Sequence, residues 1–251
     1  MAEATTAHAL FLLEDALRRL GAHWFRSGER EEWSMLLRMP GVYPPQDDTW
    51  LLADTLTEQP LNACTRVLDI CTGTGALALR AAQLGAGSVT AIDISHRAVL
   101  TARLNARGHG RTIRVLQGSL TVPVRGERFD LVISNPPYVP AEVDRIPDTG
   151  IARAWDAGTD GRALLDRICA QAPDVLAPGG TLLLAQSALS GVDKTLVMLE
   201  EHGLQVDVAA RREIPFGPVL TGRRRMLESR GVISADQRSE EIVVIRGRQD
   251  A

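Results

Sequence analysis

The sequence is short of the residues that build metal sites and disulfide scaffolds. Its three cysteines, Cys64, Cys71 and Cys169, have neither paired nor metal-ligand spacing, which suits a reducing compartment. The five histidines (His8, His23, His96, His109 and His202) are scattered, so no metal is expected. No apolar run reaches the roughly 18 residues of a membrane span, and the N-terminus lacks a basic-then-apolar leader. A cytoplasmic protein without membrane contact is expected. Positive charge is not in excess: 28 Lys and Arg stand against 31 Asp and Glu, a net charge of −3. This argues against nucleic acid as a partner, because phosphate neutralisation supplies most of that affinity. Repeats and low-complexity segments are absent too. A chain of 251 residues holds one large domain, or a domain with an appendage.

The most informative stretch is Phe129 to Val139, FDLVISNPPYV. Its short, branched, apolar run predicts a buried strand. Pro136 and Pro137 follow Asn135 directly. A residue before proline leaves the helical region, and each proline fixes its own φ and lacks an N–H. The strand therefore ends in a stiff turn that presents the Asn135 carboxamide, with the Tyr138 ring behind it. Such a device suits gripping a planar nitrogen group; a plain strand and turn is the alternative.

From Arg66 onward, apolar strands alternate with helices. Strands are expected at Arg66–Cys71, Ser88–Asp93, Thr112–Gln117, Phe129–Ser134, Thr181–Ala185, Leu204–Ala210 and Ile242–Arg246. Helices are expected at Thr74–Leu84, Ser95–Arg107, Arg162–Leu176 and Val192–His202, with a turn at Pro178-Gly179-Gly180. This alternation predicts a doubly wound α/β fold: a seven-stranded, mostly parallel sheet with helices on both faces. Residues 1–40 read as an N-terminal helical extension and 41–251 as the main domain. In the extension, Leu10, Leu13, Leu17 and Leu20 recur at helical spacing, and Trp33, Leu36 and Leu37 share one side of a second run. Packing, a lid or a dimerisation arm are open for it. Gln46-Asp47-Asp48-Thr49 precedes a helix beginning near Trp50, where its carboxylates complement the macrodipole. Arg223, Arg224 and Arg225 read as a solvated face.

The stretch VLDICTGTG, Val67 to Gly75, places a glycine turn between the first sheet strand and its helix. Asp93 ends the next strand, where an acid commonly holds ribose hydroxyls. The turn lacks the dinucleotide spacing G-x-G-x-x-G, and no basic residue in it would meet a pyrophosphate. A glycine turn, a strand-ending acid and a strand-ending Asn-Pro-Pro-Tyr, in that order, form a far more specific pattern than the turn alone.

The pattern resembles the class I S-adenosylmethionine methyltransferases, which have a Rossmann-like fold, over Arg66 to about Leu204. More closely, VYPPQDDTWLLADTL (Val42 to Leu56), NPPYV (Asn135 to Val139) and RAWDAGTDGRALLDR (Arg153 to Arg167) resemble the short-chain form of the HemK-like glutamine methyltransferases. That family modifies the Gly-Gly-Gln motif of peptide chain release factors. The resemblance implies S-adenosylmethionine as cofactor, held by Thr49, Asp69, Cys71, Gly73, Gly75, Asp93, Ile94, Ser119, Leu120 and Asn135. Asp69 would face the methionine amino group and Asp93 the ribose. It implies Asn135, Pro136 and Tyr138 as catalytic groups, with Pro137 and Trp155 also binding the acceptor. Asp156, Asp160 and Arg162 either close over the acceptor with Trp155 or do structural work, Asp160 capping the next helix. A glycine is usual where Cys71 stands, and an acid where Ser119 stands. A release-factor-like glutamine is the implied acceptor. A small molecule is an alternative, as are nucleic-acid adenine and cofactor binding without turnover. The N-terminal helices are a candidate surface for a homodimer or an activating subunit.

Overall fold

The computed structural model describes residues 36–251 and the backbone of a short strand, β1, at His23–Phe25. The leucine stripe from Leu10 to Leu20, and any docking surface on it, lies outside the described residues. The helix expected through Leu36 and Leu37 is corrected. Leu36–Arg38 is a strand, β2, paired antiparallel with β1. The reason lies in the two adjacent leucines, which serve opposite faces. Leu36 packs on Ala76 and Leu79, and Leu37 packs on Met39, Val42 and Ala98. Successive side chains on opposite faces is strand geometry. The buried Asn105 carboxamide completes the pairing: it accepts from the Leu37 N–H at 2.8 Å and donates to the Leu37 carbonyl at 2.9 Å.

Helix α1 (Asp47–Thr57) leads into the sheet domain. The elements then run β3 (Arg66–Ile70), α2 (Ala76–Gln83), β4 (Ser88–Asp93), α3 (His96–Gly108), β5 (Arg114–Gln117) and β6 (Phe129–Ser134). They continue with α4 (Leu165–Gln171), β7 (Leu176–Ser187), α5 (Val192–Glu201), β8 (Gln205–Pro215), α6 (Pro218–Ser229) and β9 (Ser239–Arg248). The seven-stranded sheet has the order β5-β4-β3-β6-β7-β9-β8. Pairings from β5 to β7 are parallel, and β9 runs antiparallel to both its neighbours. The doubly wound expectation holds. Val67, Leu68 and Ile70 of β3 and Val132 and Ile133 of β6 are fully buried, as strands covered by helices on both faces must be.

Strand order reverses between β3 and β6. Their C-terminal ends, at Ile70 and Ser134, open the crevice where ligands of such sheets bind. Two details depart from the sequence reading. The expected Pro178-Gly179-Gly180 turn lies inside β7 as a bulge, with Leu176 opposite Phe129 and Thr181 opposite Leu131. The helix expected over Arg162–Leu176 starts only at Leu165, and a 3-10 turn beginning at Pro173 follows it, because proline removes a helical donor. Among the described residues no helix is long and apolar enough to cross a membrane, and no group of three or more His, Cys, Asp or Glu could hold a metal ion.

Candidate active site

The glycine turn after β3 is held by its own backbone. The Thr72 N–H donates to the Ile92 carbonyl, and the Gly75 N–H to the Thr72 carbonyl. Gly75 has φ +83, and a Cβ there would sit 3.0 Å from the Ala102 Cβ, so glycine lets α2 start hard against α3. Cys71 has φ +61. A left-handed backbone at a non-glycine residue costs about 1 kcal/mol, which accounts for glycine being usual at this position. Burial, with Asp93 and Asp69 nearby, pushes the Cys71 thiol up, far from a reactive thiolate.

Asp69 lies under the turn, wholly buried. One carboxylate oxygen accepts from Thr72 Oγ1 at 2.5 Å and from the Ala78 N–H at 3.1 Å; Oδ1 has no partner. Burial pushes its pKa up to about 7 against the pull of those two donors. Asp93, at the end of β4, accepts from the Gly73 N–H at 3.0 Å and the Ser95 N–H at 2.8 Å. Burial raises its pKa as well, opposed by these donors and by the charge of Arg153.

A cavity of about 250 Å³ opens at this crevice. Thr49, Cys71, Gly73, Asp93 and Ile94 line it, as do Ser119, Leu120, Asn135 and Pro137. Asp69 and Gly75 lie beneath the wall. Pro136 and Tyr138 are buried behind it, and Trp155 is half-buried and also off the wall. Asn135, immediately after β6, donates from Nδ2 to Thr49 Oγ1 at 3.2 Å, while its Oδ1 is buried without a partner.

The methyltransferase small domain family matches residues 36–154. A provisionally named protein N5-glutamine methyltransferase of Methanocaldococcus jannaschii is 35% identical over 177 residues, which is 70% of this chain and 88% of that one. The chain belongs to the HemK-like family of glutamine methyltransferases. A release factor glutamine methyltransferase of Deinococcus radiodurans is 36% identical over 75% of this chain and 66% of its own length. A ribosomal protein uL3 glutamine methyltransferase of Bradyrhizobium diazoefficiens is 41% identical over 52% of this chain and 43% of its own. The match thus spans less than two thirds of these longer relatives. Among solved structures, Mtq2 of E. cuniculi, in complex with Trm112, superposes with a TM-score of 0.59 at 24% identity, covering 84% of this chain and 99% of that one. The 16S rRNA methyltransferase RsmC of T. thermophilus gives 0.58 at 19% identity, covering 91% and 50%. Both share the fold.

This HemK-like chain has site residues that sequence reasoning missed. At the position where the family usually has an acid, Ser119 accepts from Arg167 at 2.9 Å, and Arg167 itself lines the cavity. Asp48 is more than the macrodipole partner its spacing suggests: α1 begins one residue earlier, at Asp47, and its N-cap Gln46 makes no side-chain cap bond. Asp48 is buried, and its Oδ2 accepts from Tyr43 at 3.1 Å and Tyr138 at 2.9 Å. Those are the only two tyrosines in the chain. That scarcity, with YPPQDDT and NPPY as the two places where tyrosine occurs, is the signal that could have joined them. Glu240 of β9 lies beyond, and its pKa is raised to about 7, mainly by burial.

The expectation for Arg223 is corrected. Its side chain is 20% exposed and forms a 2.6 Å ion pair with Asp156. It also donates to the Pro140 carbonyl at 3.0 Å, and Arg230 donates to the Ala141 and Glu142 carbonyls. Helix α6 therefore straps the segment after Asn-Pro-Pro-Tyr, which also pairs with residues 155–158 through Val139 and Ala141. Only Arg225 of the three arginines is exposed. Arg162 is buried against the Ser190 and Gly191 carbonyls and paired with Asp166, and the Asp160 carboxylate accepts from the Arg162 N–H. The cap expected from Asp160 is corrected: α4 has Leu164 at its N-cap, with no side-chain cap bond.

Glu240 makes stability pH-dependent. Below about 4.5 it is protonated in both folded and unfolded chains. Between 4.5 and about 7 the unfolded chain ionises while the folded one holds the proton, so stability falls as pH rises. Above 7 the loss is complete. Glu240→Gln is expected to raise stability at pH 8 by on the order of 2 kcal/mol and to leave it nearly unchanged at pH 4. Thermal midpoints at the two pH values check this. Asp69 titrates in the same window, so part of the slope remains.

Proposed function

We propose that the protein transfers a methyl group from S-adenosylmethionine to the side-chain nitrogen of a glutamine in a protein, such as a peptide chain release factor. The observation that carries this reading is the Asn135 carboxamide. It stands on the cavity wall beside the glycine turn, with its carbonyl oxygen buried and without a partner. A buried acceptor left unpaired costs about 1–3 kcal/mol, and an incoming N–H would satisfy it.

The residues present fit the cofactor. Asp93 would take the ribose hydroxyls, and Asp69, with its unpartnered Oδ1, would face the amino group. Leu120 and Ile94 offer apolar wall. Bound there, the cofactor supplies an activated methyl group on a sulfonium. The chain's own task is then orientation, which can be worth roughly 7–11 kcal/mol of barrier. An amide nitrogen is a poor nucleophile because its lone pair is delocalised. Asn135 Oδ1 and the Pro136 carbonyl would accept its two N–H bonds, turning the lone pair toward the methyl group. They would also stabilise the positive charge that grows on nitrogen. Nitrogen gains a methyl group and gives up one proton. Tyr138 fixes the far end of the motif.

The test is transfer of labelled methyl from S-adenosylmethionine to a purified release factor. Label on the native factor, lost when its Gly-Gly-Gln glutamine is changed to alanine, supports the reading. Label found only in the small-molecule or nucleic-acid fraction of a lysate replaces it with one of those acceptors.

A further inference from the structure

Asn135 can face its neighbours in two ways, with nitrogen and oxygen exchanged, and the two present opposite hydrogen-bonding characters to an acceptor. We infer that Asp48 is the positioning residue that selects between them. This rests on the proposed amide acceptor.

The argument follows the protons outward from Asp48. A carboxylate only accepts. Asp48 Oδ1 takes the Thr49 backbone N–H at 2.6 Å and the Thr49 hydroxyl at 3.2 Å. Its Oδ2 takes the hydroxyls of Tyr43 and Tyr138. Both phenols are pushed up by burial and by Asp48 itself, so both keep their protons. Four donors occupy the two oxygens. Thr49 has a single hydroxyl proton and gives it to Asp48, so toward Asn135 its oxygen can only accept. Asn135 must therefore turn its NH₂ to Thr49, at 3.2 Å. The reversed amide would set two acceptors against each other. Its carbonyl oxygen is what remains for the acceptor, and that atom is the one without a partner.

Asp48 thus holds the motif at both ends, through Thr49 at Asn135 and directly at Tyr138. The polarity it imposes selects an acceptor that brings N–H groups and repels one that brings a carboxylate. A site of this kind rejects the analogue lacking the N–H by about 10⁴-fold.

Asp48→Ala tests it. Asparagine would keep its amide oxygen on the Thr49 backbone N–H and still accept the Thr49 hydroxyl, whereas alanine leaves that hydroxyl free to donate to Asn135, which can then reverse. With a Gly-Gly-Gln peptide as substrate and the Gly-Gly-Glu peptide as competitor, the wild type is expected to be about 10⁴-fold selective. Asp48→Ala should fall below about 10²-fold, by tighter binding of the Glu peptide as well as lower kcat. Affinity for S-adenosylmethionine, measured by calorimetry, reports the folded cofactor end. Unchanged selectivity in the variant overturns the role given to Asp48 and leaves glutamine methylation standing. Should wild type not modify the Gln peptide, the proposed function fails instead, and a second reading is independent of it. The Asn135 side-chain NH₂ resonances, assigned by their loss in Asn135→Asp, should exchange slowly with solvent in wild type and fast in Asp48→Ala. Equal exchange in both overturns the relay.

Discussion

Asn135→Ala is expected to lower kcat for amide methylation by about 10²–10³-fold, the loss seen when one aimed polar group is removed from a developing charge. Three observations set this size. The Asn135 oxygen is buried and unpaired, its nitrogen is pinned to Thr49, and the following prolines leave the turn little freedom to replace it with another group. Cofactor affinity should change far less, because the glycine turn and Asp93 are tied to each other and not to Asn135. Single-turnover rates with calorimetry on the same sample separate the two. Turnover near wild type with cofactor still bound would remove Asn135 from the chemistry.

Gly161→Ala is expected to damage both stability and activity. Gly161 has φ +74, and a Cβ there would stand 2.3 Å from the Tyr138 carbonyl oxygen and 2.8 Å from Ser190 Oγ. Ser190 Oγ already donates to that same carbonyl at 2.7 Å. The backbone of the motif has nowhere to retreat, since its other side is held by Asp48. A loss of about 3 kcal/mol is expected, left-handed strain supplying about 1 and displacement the rest. Gly179→Ala is the internal control. Its φ is +71 with nothing within 4 Å, so it should cost about 1 kcal/mol and keep full activity. Denaturant midpoints and kcat for the two variants decide the matter. If Gly161→Ala proves no worse than Gly179→Ala, the packing of residue 161 on the motif is not what holds it.

The parallel half of the sheet was legible because its strands are buried on both faces and read as unbroken apolar runs. The turn after Arg66–Ile70, Asp93 and Asn135 were legible because each lies at a strand end, where sequence order predicts spatial order. What escaped depends on distant pairing. Arg223 looked solvated because its partner, Asp156, belongs to a loop far back in the chain. Asp48 looked like a helix-dipole residue because local spacing says nothing of Tyr138, whose hydroxyl reaches it. Leu36 and Leu37 looked helical because adjacent apolar residues fit either period until two separate packing clusters divide them.

The strap from α6 carries a consequence for the order of synthesis. A ribosome has delivered the glycine turn, Asp93 and the Asn-Pro-Pro-Tyr turn when little more than half of the chain has been made. Arg223 and Arg230, which tie down the segment beyond that turn, are made well after it. The growing polypeptide therefore acquires the glycine turn and the Asp93 wall of the cavity well before the segment beyond Asn-Pro-Pro-Tyr is secured.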